Sequence, residues 1–197
     1  MIETGKQNYH HGDLRTALVQ AGLKLLEERH GDDIGLREVA RAVGVSATAV
    51  YRHFPDKAAL LRALAAEGLA RLATAQRAAS DAAGGGRAGF AATGRAYVRF
   101  ALANPALFRL AFSHPPEQDR MTAAPDQLPE AFRMLLANAE LVVPPGASAE
   151  TVKFAALDAW AQVHGLAMLM LDGQIPADER LIDSLVGTES GAPAPAG

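Results

Sequence analysis

The 197-residue sequence predicts an all-α fold, an N-terminal three-helix helix-turn-helix domain followed by a larger C-terminal helical domain, about nine helices together. Three observations carry that prediction. Apolar residues recur three and four apart along most of the chain, the spacing of one helix face. Glycine, proline and capping residues fall where such runs stop and restart. Between 36 and 57, two short amphipathic runs flank the three-residue turn Gly44-Val45-Ser46.

In chain order, Gly12-Asp13 precedes an apolar stripe of Leu14, Ala17, Leu18, Ala21, Leu25 and Leu26, a helix closed by His30-Gly31. Val39, Ala40 and Val43 form one face of a second helix. Ala40 is small where the next helix must cross, and Gly44 supplies the positive φ a chain often needs on leaving a helix. Ser46 then caps a third helix, whose inward face is Val50 and Phe54. Its outward face is left to Ala47, Thr48, Ala49, Tyr51, Arg52 and His53. Phe54-Pro55-Asp56-Lys57 ends that helix and starts another, with Asp56 as N-cap and Leu60, Leu61, Leu64 and Leu69 as its stripe.

Beyond residue 70 the pattern stays helical. Ala82-Ala83-Gly84-Gly85-Gly86 reads as a joint, and Phe90 to Ala103 as a helix with Tyr97, Phe100 and Ala101 on one face. After Asn104-Pro105 comes a short helix through Leu107, Phe108, Leu110 and Ala111, stopped by Ser113-His114-Pro115-Pro116. Glu117 to Gln127 is polar and reads as a loop. Pro129 to Leu141 gives a helix closed by Pro144-Pro145-Gly146, and Ala149 to Asp172 the longest one. That last run is apolar on most of its circumference and rich in alanine and glycine, so it is expected to bury more than one side: one in its own subunit, one against a twin. With Ala177 to Val186 it would form the four-helix interface of a dimer. The domains are thus expected at 10–70 and 71–187, with a Gly/Ala/Pro-rich tail at 188–197 expected to be disordered.

The third helix offers small side chains first and hydrogen-bonding or cationic ones later, which suits a helix entering a major groove N-terminus first. Tyr51, Arg52, His53 and Lys57 can reach flanking phosphates. A plain helical hairpin with a polar outer face shares the turn, but not the order of one helix, a pair, then a long exit helix.

The run Val-Ala-Arg-Ala-Val-Gly-Val-Ser at 39–46, the run Val-Tyr-Arg-His-Phe at 50–54, and Lys57 followed by Leu60-Leu61 resemble the tetracycline-repressor family of bacterial transcriptional regulators. The likeness covers roughly residues 10–70. It implies a homodimeric all-helical repressor whose N-terminal domain binds double-stranded operator DNA and whose C-terminal domain binds a small-molecule effector. Carried over by position, Arg37 lies at the start of the helix before the turn, Ser46 opens the reading helix, Ala47, Thr48 and Ala49 face bases, and Tyr51, His53 and Lys57 grip phosphates. Ala47 and Ala49 have almost no polar reach, so of these three only Thr48 can read a base edge. Arg37 is therefore expected to be the main base reader, since a guanidinium bonds guanine bidentately. The stretch Lys6 to His11 would lie along the backbone or enter a minor groove, with a disordered tail as the competing reading. Coupling between the domains is expected through the helix from Asp56 to Arg77.

Trp160, His164 and Gly165 make a Trp-x-x-x-His-Gly motif similar to the C-terminal domain of a subgroup named for those residues. Trp160 and His164 share a helix face and would form an effector pocket with Phe100, Phe108, Phe112 and Met168. Core packing around a satisfied histidine is the competing reading.

Composition sets bounds without deciding. There are 11 basic against 9 acidic side chains up to residue 78 and 8 against 13 beyond it, a mild asymmetry in the direction a DNA-binding head requires. With no cysteine there are no disulfides or thiolate metal sites. His10, His11 and Asp13 do not define a closed coordination geometry, so no metal or cofactor is expected. Met1 to Asp13 is too polar for a secretory signal, and Asp158, Gln162 and His164 interrupt the most apolar stretch, Ala155 to Leu171. The expectation is a cytoplasmic protein without a membrane partner. The alternative is an all-helical small-molecule-binding protein or enzyme that binds no DNA. For the enzyme, Gly-x-Ser-x-Gly, Gly-x-x-x-x-Gly-Lys and His-Glu-x-x-His are all missing from the sequence.

Overall fold

A computed structural model describes residues 11–28, 34–113 and 122–187. The stretch 6–10, the stop at His30-Gly31 and the tail 188–197 lie outside them. Among the described residues there are nine α-helices and no strand: α1 (His11–Glu28), α2 (Leu36–Val43), α3 (Ala47–Tyr51), α4 (Lys57–Ala82), α5 (Gly86–Ala103), α6 (Pro105–Ser113), α7 (Glu130–Ala139), α8 (Ala149–Leu171) and α9 (Glu179–Leu185).

Local chemistry explains most helix ends. The Glu38 carboxylate accepts the Gly35 N–H at 3.0 Å, fastening the start of α2. Its end is a Schellman motif: Gly44 sits at φ 75°, its N–H bonds the Arg41 carbonyl, and the Val45 N–H bonds that of Ala40. Ser46 Oγ accepts the Ala49 N–H at 3.2 Å, and Asp56 Oδ1 the Ala59 N–H at 2.7 Å, so both expected caps form. Gly84, Gly85 and Gly86 all have positive φ, which turns the chain sharply enough for α5 to begin at Gly86, four residues before Phe90. The short α3 ends at Tyr51. Phe54 still donates its N–H to the Val50 carbonyl at 2.9 Å, so one further turn carries its ring inward.

Two cores result. In the head, Leu18 and Leu23 of α1, Val39 of α2, Val50, Phe54, and Leu60 and Leu64 of α4 pack together. In the second domain, Leu69, Leu72 and Ala73 of α4 pack with Tyr97 and Val98, Phe108, Phe132, Leu166 and Ile182. The long α4 thus supplies the first half of its stripe to one core and the second half to the other. So does α6: Leu107 and Leu110 enter the head core, while Phe108 and Ala111 enter the other. The division at residue 70 did not foresee this contribution of α6 to the head. Gly68 makes the junction close, for a Cβ there would lie 2.9 Å from Leu107 Cδ1.

α8 is long and apolar enough to cross a membrane by length and composition alone. Its apolar side chains divide, however: Ala156, Leu166, Ala167 and Met170 are buried within the subunit, whereas Phe154, Leu157 and Leu169 are exposed. α9 is held to α5 by Arg99, which donates to Glu179 at 2.8 and 2.7 Å and to Asp183 at 3.0 Å, and by Arg95, which donates to the Val186 carbonyl. The hydrogen bond that Arg99 donates to Glu179 is the chief reason its guanidinium is held above its ordinary range.

Candidate nucleic-acid interface and internal cavity

α3 is a short platform with one side fixed. Val50 is 0% and Phe54 1% exposed, and burying such side chains stabilises the attachment by about 1.5–3 kcal/mol each. At 100° per residue the opposite side carries Thr48 and Arg52, both exposed, with Tyr51 at its edge. Ser46 is exposed at the cap, and Ala47, Ala49, His53 and Lys57 are half-buried around it. Alanines at two of the first three helical positions leave little between the backbone and whatever α3 is laid against. On α2, Arg37 is exposed, and Arg41 follows one turn later on the same side. Arg37, Arg41 and Arg52 pair with no acid among the described residues. Arg41 was not singled out from the sequence, although its i+4 spacing from Arg37 was the available signal. The Arg15 guanidinium lies 5.2 Å from the centre of the Phe54 ring, a cation–π contact that joins α1 to the end of the reading segment.

The second domain contains a cavity of about 1020 Å³ between α4, α5, α6, α7, α8 and α9. Its inner wall includes Leu72, Gln76, Phe90, Tyr97, Phe112, Phe132 and Trp160, and its outer rim Asp158, Gln162, Leu169 and Leu185. Gly94 also lines it, and a Cβ there would lie 2.6 Å from Val186 Cγ1, so glycine lets α5 approach the end of α9.

A chain of polar groups runs through the inner wall. Trp160 Nε1 donates to Tyr97 Oη at 3.1 Å, and Tyr97 Oη lies 2.8 Å from His164 Nδ1. An indole can only donate, so Tyr97 Oη accepts from Trp160, while the imidazole tautomer decides which of Tyr97 and His164 is the donor in the bond between them. The rings around this chain pack edge to face or tilted: Phe112 and His164 have centroids 5.0 Å apart, Phe132 and Trp160 5.0 Å, Phe108 and Phe112 4.9 Å.

Of the six residues expected at a pocket, Phe112 and Trp160 line the cavity. Phe108 and His164 stand behind that wall, with ring centroids 5.6 Å apart. Phe100 packs toward both cores and Met168 against the second, and neither borders the cavity. Gln76, Tyr97 and Phe132 were not foreseen as lining. Gln76 donates through Nε2 to the Thr93 carbonyl at 3.3 Å, and its Oε1 is buried without a hydrogen-bond partner. A polar residue continuing the stripe of Leu69 and Leu72 was the signal in the sequence. For Tyr97, it was a phenol on an apolar face, which requires a partner when buried.

Two family models match the chain. One, described as bacterial regulatory proteins of the tetR family, matches residues 18–64, and the other, a tetracyclin repressor-like C-terminal domain, matches residues 90–188. Over 52 residues the chain is 44% identical to the nucleoid occlusion factor SlmA of Marinomonas sp. (strain MWYL1), a match spanning 26% of each protein. A protein of unknown function from Rhodococcus sp. RHA1 has a similar structure, with TM-score 0.68 and 32% identity over 91% of this chain and 93% of that one. The structure of TetR from Acinetobacter baumannii AYE shares the fold at TM-score 0.56 and 20% identity, covering 90% of this chain and 83% of that one.

Proposed function

The chain belongs to the tetracycline-repressor family of bacterial regulators, and from that premise we propose a homodimeric repressor that occupies a palindromic operator until a small apolar effector enters the cavity. Regulators of this family bind operator DNA and dimerise through the C-terminal domain. The work of such a protein places it with its DNA in the cytoplasm.

The observation that carries the reading is α3: capped by Ser46, anchored by Val50 and Phe54, and presenting Thr48 and Arg52 outward. In a symmetric pair two such helices enter successive major grooves about 34–36 Å apart. Thr48 offers a hydroxyl and a methyl to base edges, and Arg37 a guanidinium to guanine. Arg52, Tyr51, His53 and Lys57 hold flanking phosphates. Trp160 and Tyr97 spend their polar groups on one another and on His164, so the wall offers ring faces around the one orphaned acceptor among the described residues, Gln76 Oε1, and the effector it suits has an aromatic or aliphatic body.

A ligand pressing on Phe112 displaces α6, and Leu107 on the same helix presses on α4 at Gly68. The head then turns as a unit and the two α3 helices lose their groove spacing. Effector and operator weaken one another reciprocally, typically by about 1–3 kcal/mol.

Fluorescence anisotropy tests the reading with a duplex enriched from a random pool and a scrambled duplex of equal length. Arg37→Ala is expected to cost about 1–3 kcal/mol on the enriched duplex and less on the scrambled one. Equal losses would make Arg37 a phosphate clamp, and a wild type that retains no duplex at low salt overturns the proposal.

A further inference from the structure

The cavity wall is short of one hydrogen bond. On α4, Gln76 continues the apolar stripe of Leu69 and Leu72 and borders the cavity. Its amide is held in one orientation. Nε2 lies 3.3 Å from the Thr93 carbonyl of α5, and because a carbonyl can only accept, the nitrogen and not the oxygen must face it. Oε1 is the end left over, buried and without a partner. An oxygen stripped of water and left unpaired costs the fold stability, a cost that leucine at the same place in the stripe does not carry.

The other polar side chains of the inner wall are engaged. Thr93, 4% exposed, donates its hydroxyl to the Phe90 carbonyl at 2.7 Å, and Trp160 and Tyr97 are joined to each other and to His164. Of the described lining residues only Arg87 and Asp158 are charged; both are exposed, their signs are opposite, and Asp158 accepts from Gln162 at 3.1 Å. Ring faces and an unmet acceptor thus lie within, and charge of mixed sign lies at the surface. We infer that Gln76 sets the specificity of the cavity by accepting a hydrogen bond from the ligand, so that the effector is an uncharged compound with an aromatic or aliphatic body and a hydroxyl or N–H donor: a phenol, an alcohol or an arylamine. The inference rests on the effector reading above and adds the ligand's polar group to it. Folding has already desolvated the oxygen, so pairing it costs only the ligand's own hydration, and the bond to Thr93 holds the amide, so little freedom is lost on binding. A charged ligand is disfavoured, because at the inner wall it meets no opposite charge.

Two ligands of one shape separate the donor from the body: 2-naphthol, and 2-methylnaphthalene, in which a methyl replaces the hydroxyl. Displacement of N-phenyl-1-naphthylamine, an uncharged aromatic fluorophore titrated first against each protein, gives both affinities. Gln76→Leu is expected to weaken 2-naphthol about ten-fold and to leave 2-methylnaphthalene unchanged or tighter, with the thermal melt level or higher. Affinity lost for one ligand without stability lost is what a merely structural glutamine does not give. Should circular dichroism show that the leucine variant fails to fold, Gln76→Met removes the same oxygen at the same side-chain length and makes the same comparison. An equal or larger loss for 2-methylnaphthalene overturns the inference and leaves the cavity reading standing, since the oxygen then does not meet the hydroxyl. A wild type that binds none of the three compounds removes the effector reading itself, and the inference with it.

Discussion

The head and the C-terminal domain are built from the same helical material yet are packed to opposite ends. In the head, Leu18, Val39, Val50, Phe54, Leu60 and Leu64 are at most 1% exposed, and no residue before Leu72 borders the cavity. The second domain surrounds about 1020 Å³ of space, leaves the Gln76 Oε1 without a partner, and keeps an apolar face of α8 uncovered. A close-packed core deforms little and moves as a body; a core with a void has alternative arrangements of similar energy. By packing, the head is the stiffer body and the C-terminal domain the more deformable one, and the two share α4 and α6.

Matched truncations give the largest test of that contrast. Phe54→Ala removes a ring from the filled core and is expected to cost about 3–5 kcal/mol in urea unfolding. Phe112→Ala removes one that already faces space, so its cost should be smaller by at least about 1 kcal/mol. Equal costs would mean that the cavity is collapsed in solution.

The junction comes next. Gly68→Val places a branched side chain against Leu107, where even a Cβ would lie 2.9 Å from Cδ1, and overpacking of this kind costs about 1–3 kcal/mol. Operator affinity should change as well, because α4 cannot then sit against α6 as before. A thermal melt and an anisotropy titration check both, and an effect on neither would remove α6 from the coupling route.

The smallest expected effect has the opposite sign. Gln76→Leu gives up one bond to the Thr93 carbonyl and removes the orphaned oxygen, so stability should stay level or rise by up to about 1 kcal/mol in the same unfolding assay. A clear loss would show that Oε1 is satisfied in solution.

What the sequence disclosed follows the range of the interaction. Gly44, Ser46 and Asp56 were legible because a cap or a left-handed turn is settled within four residues. Val50 and Phe54 were legible because helical spacing names an inward face. The part played by Leu107 and Leu110 in the head core was not, since it depends on where α6 lands after a long excursion of the chain. The pocket residues show the same limit. Trp160 and Phe100 both stand on apolar faces, but spacing names the face and not what lies opposite: a void for Trp160, two packed cores for Phe100. Tyr97 became the centre of the polar chain only when α8 was laid against α5.

Hydrogen exchange along the whole chain, with and without saturating N-phenyl-1-naphthylamine, tests most directly whether a stiff reader is joined to a yielding sensor. The account predicts that amides of α1 and of α4 from Leu60 to Ala65 are the slowest in both states and do not respond to the probe, while those of α5 before Tyr97, α7 and α8 gain protection. Head amides that exchange as fast as the cavity wall, or that gain protection equally on binding, would contradict it.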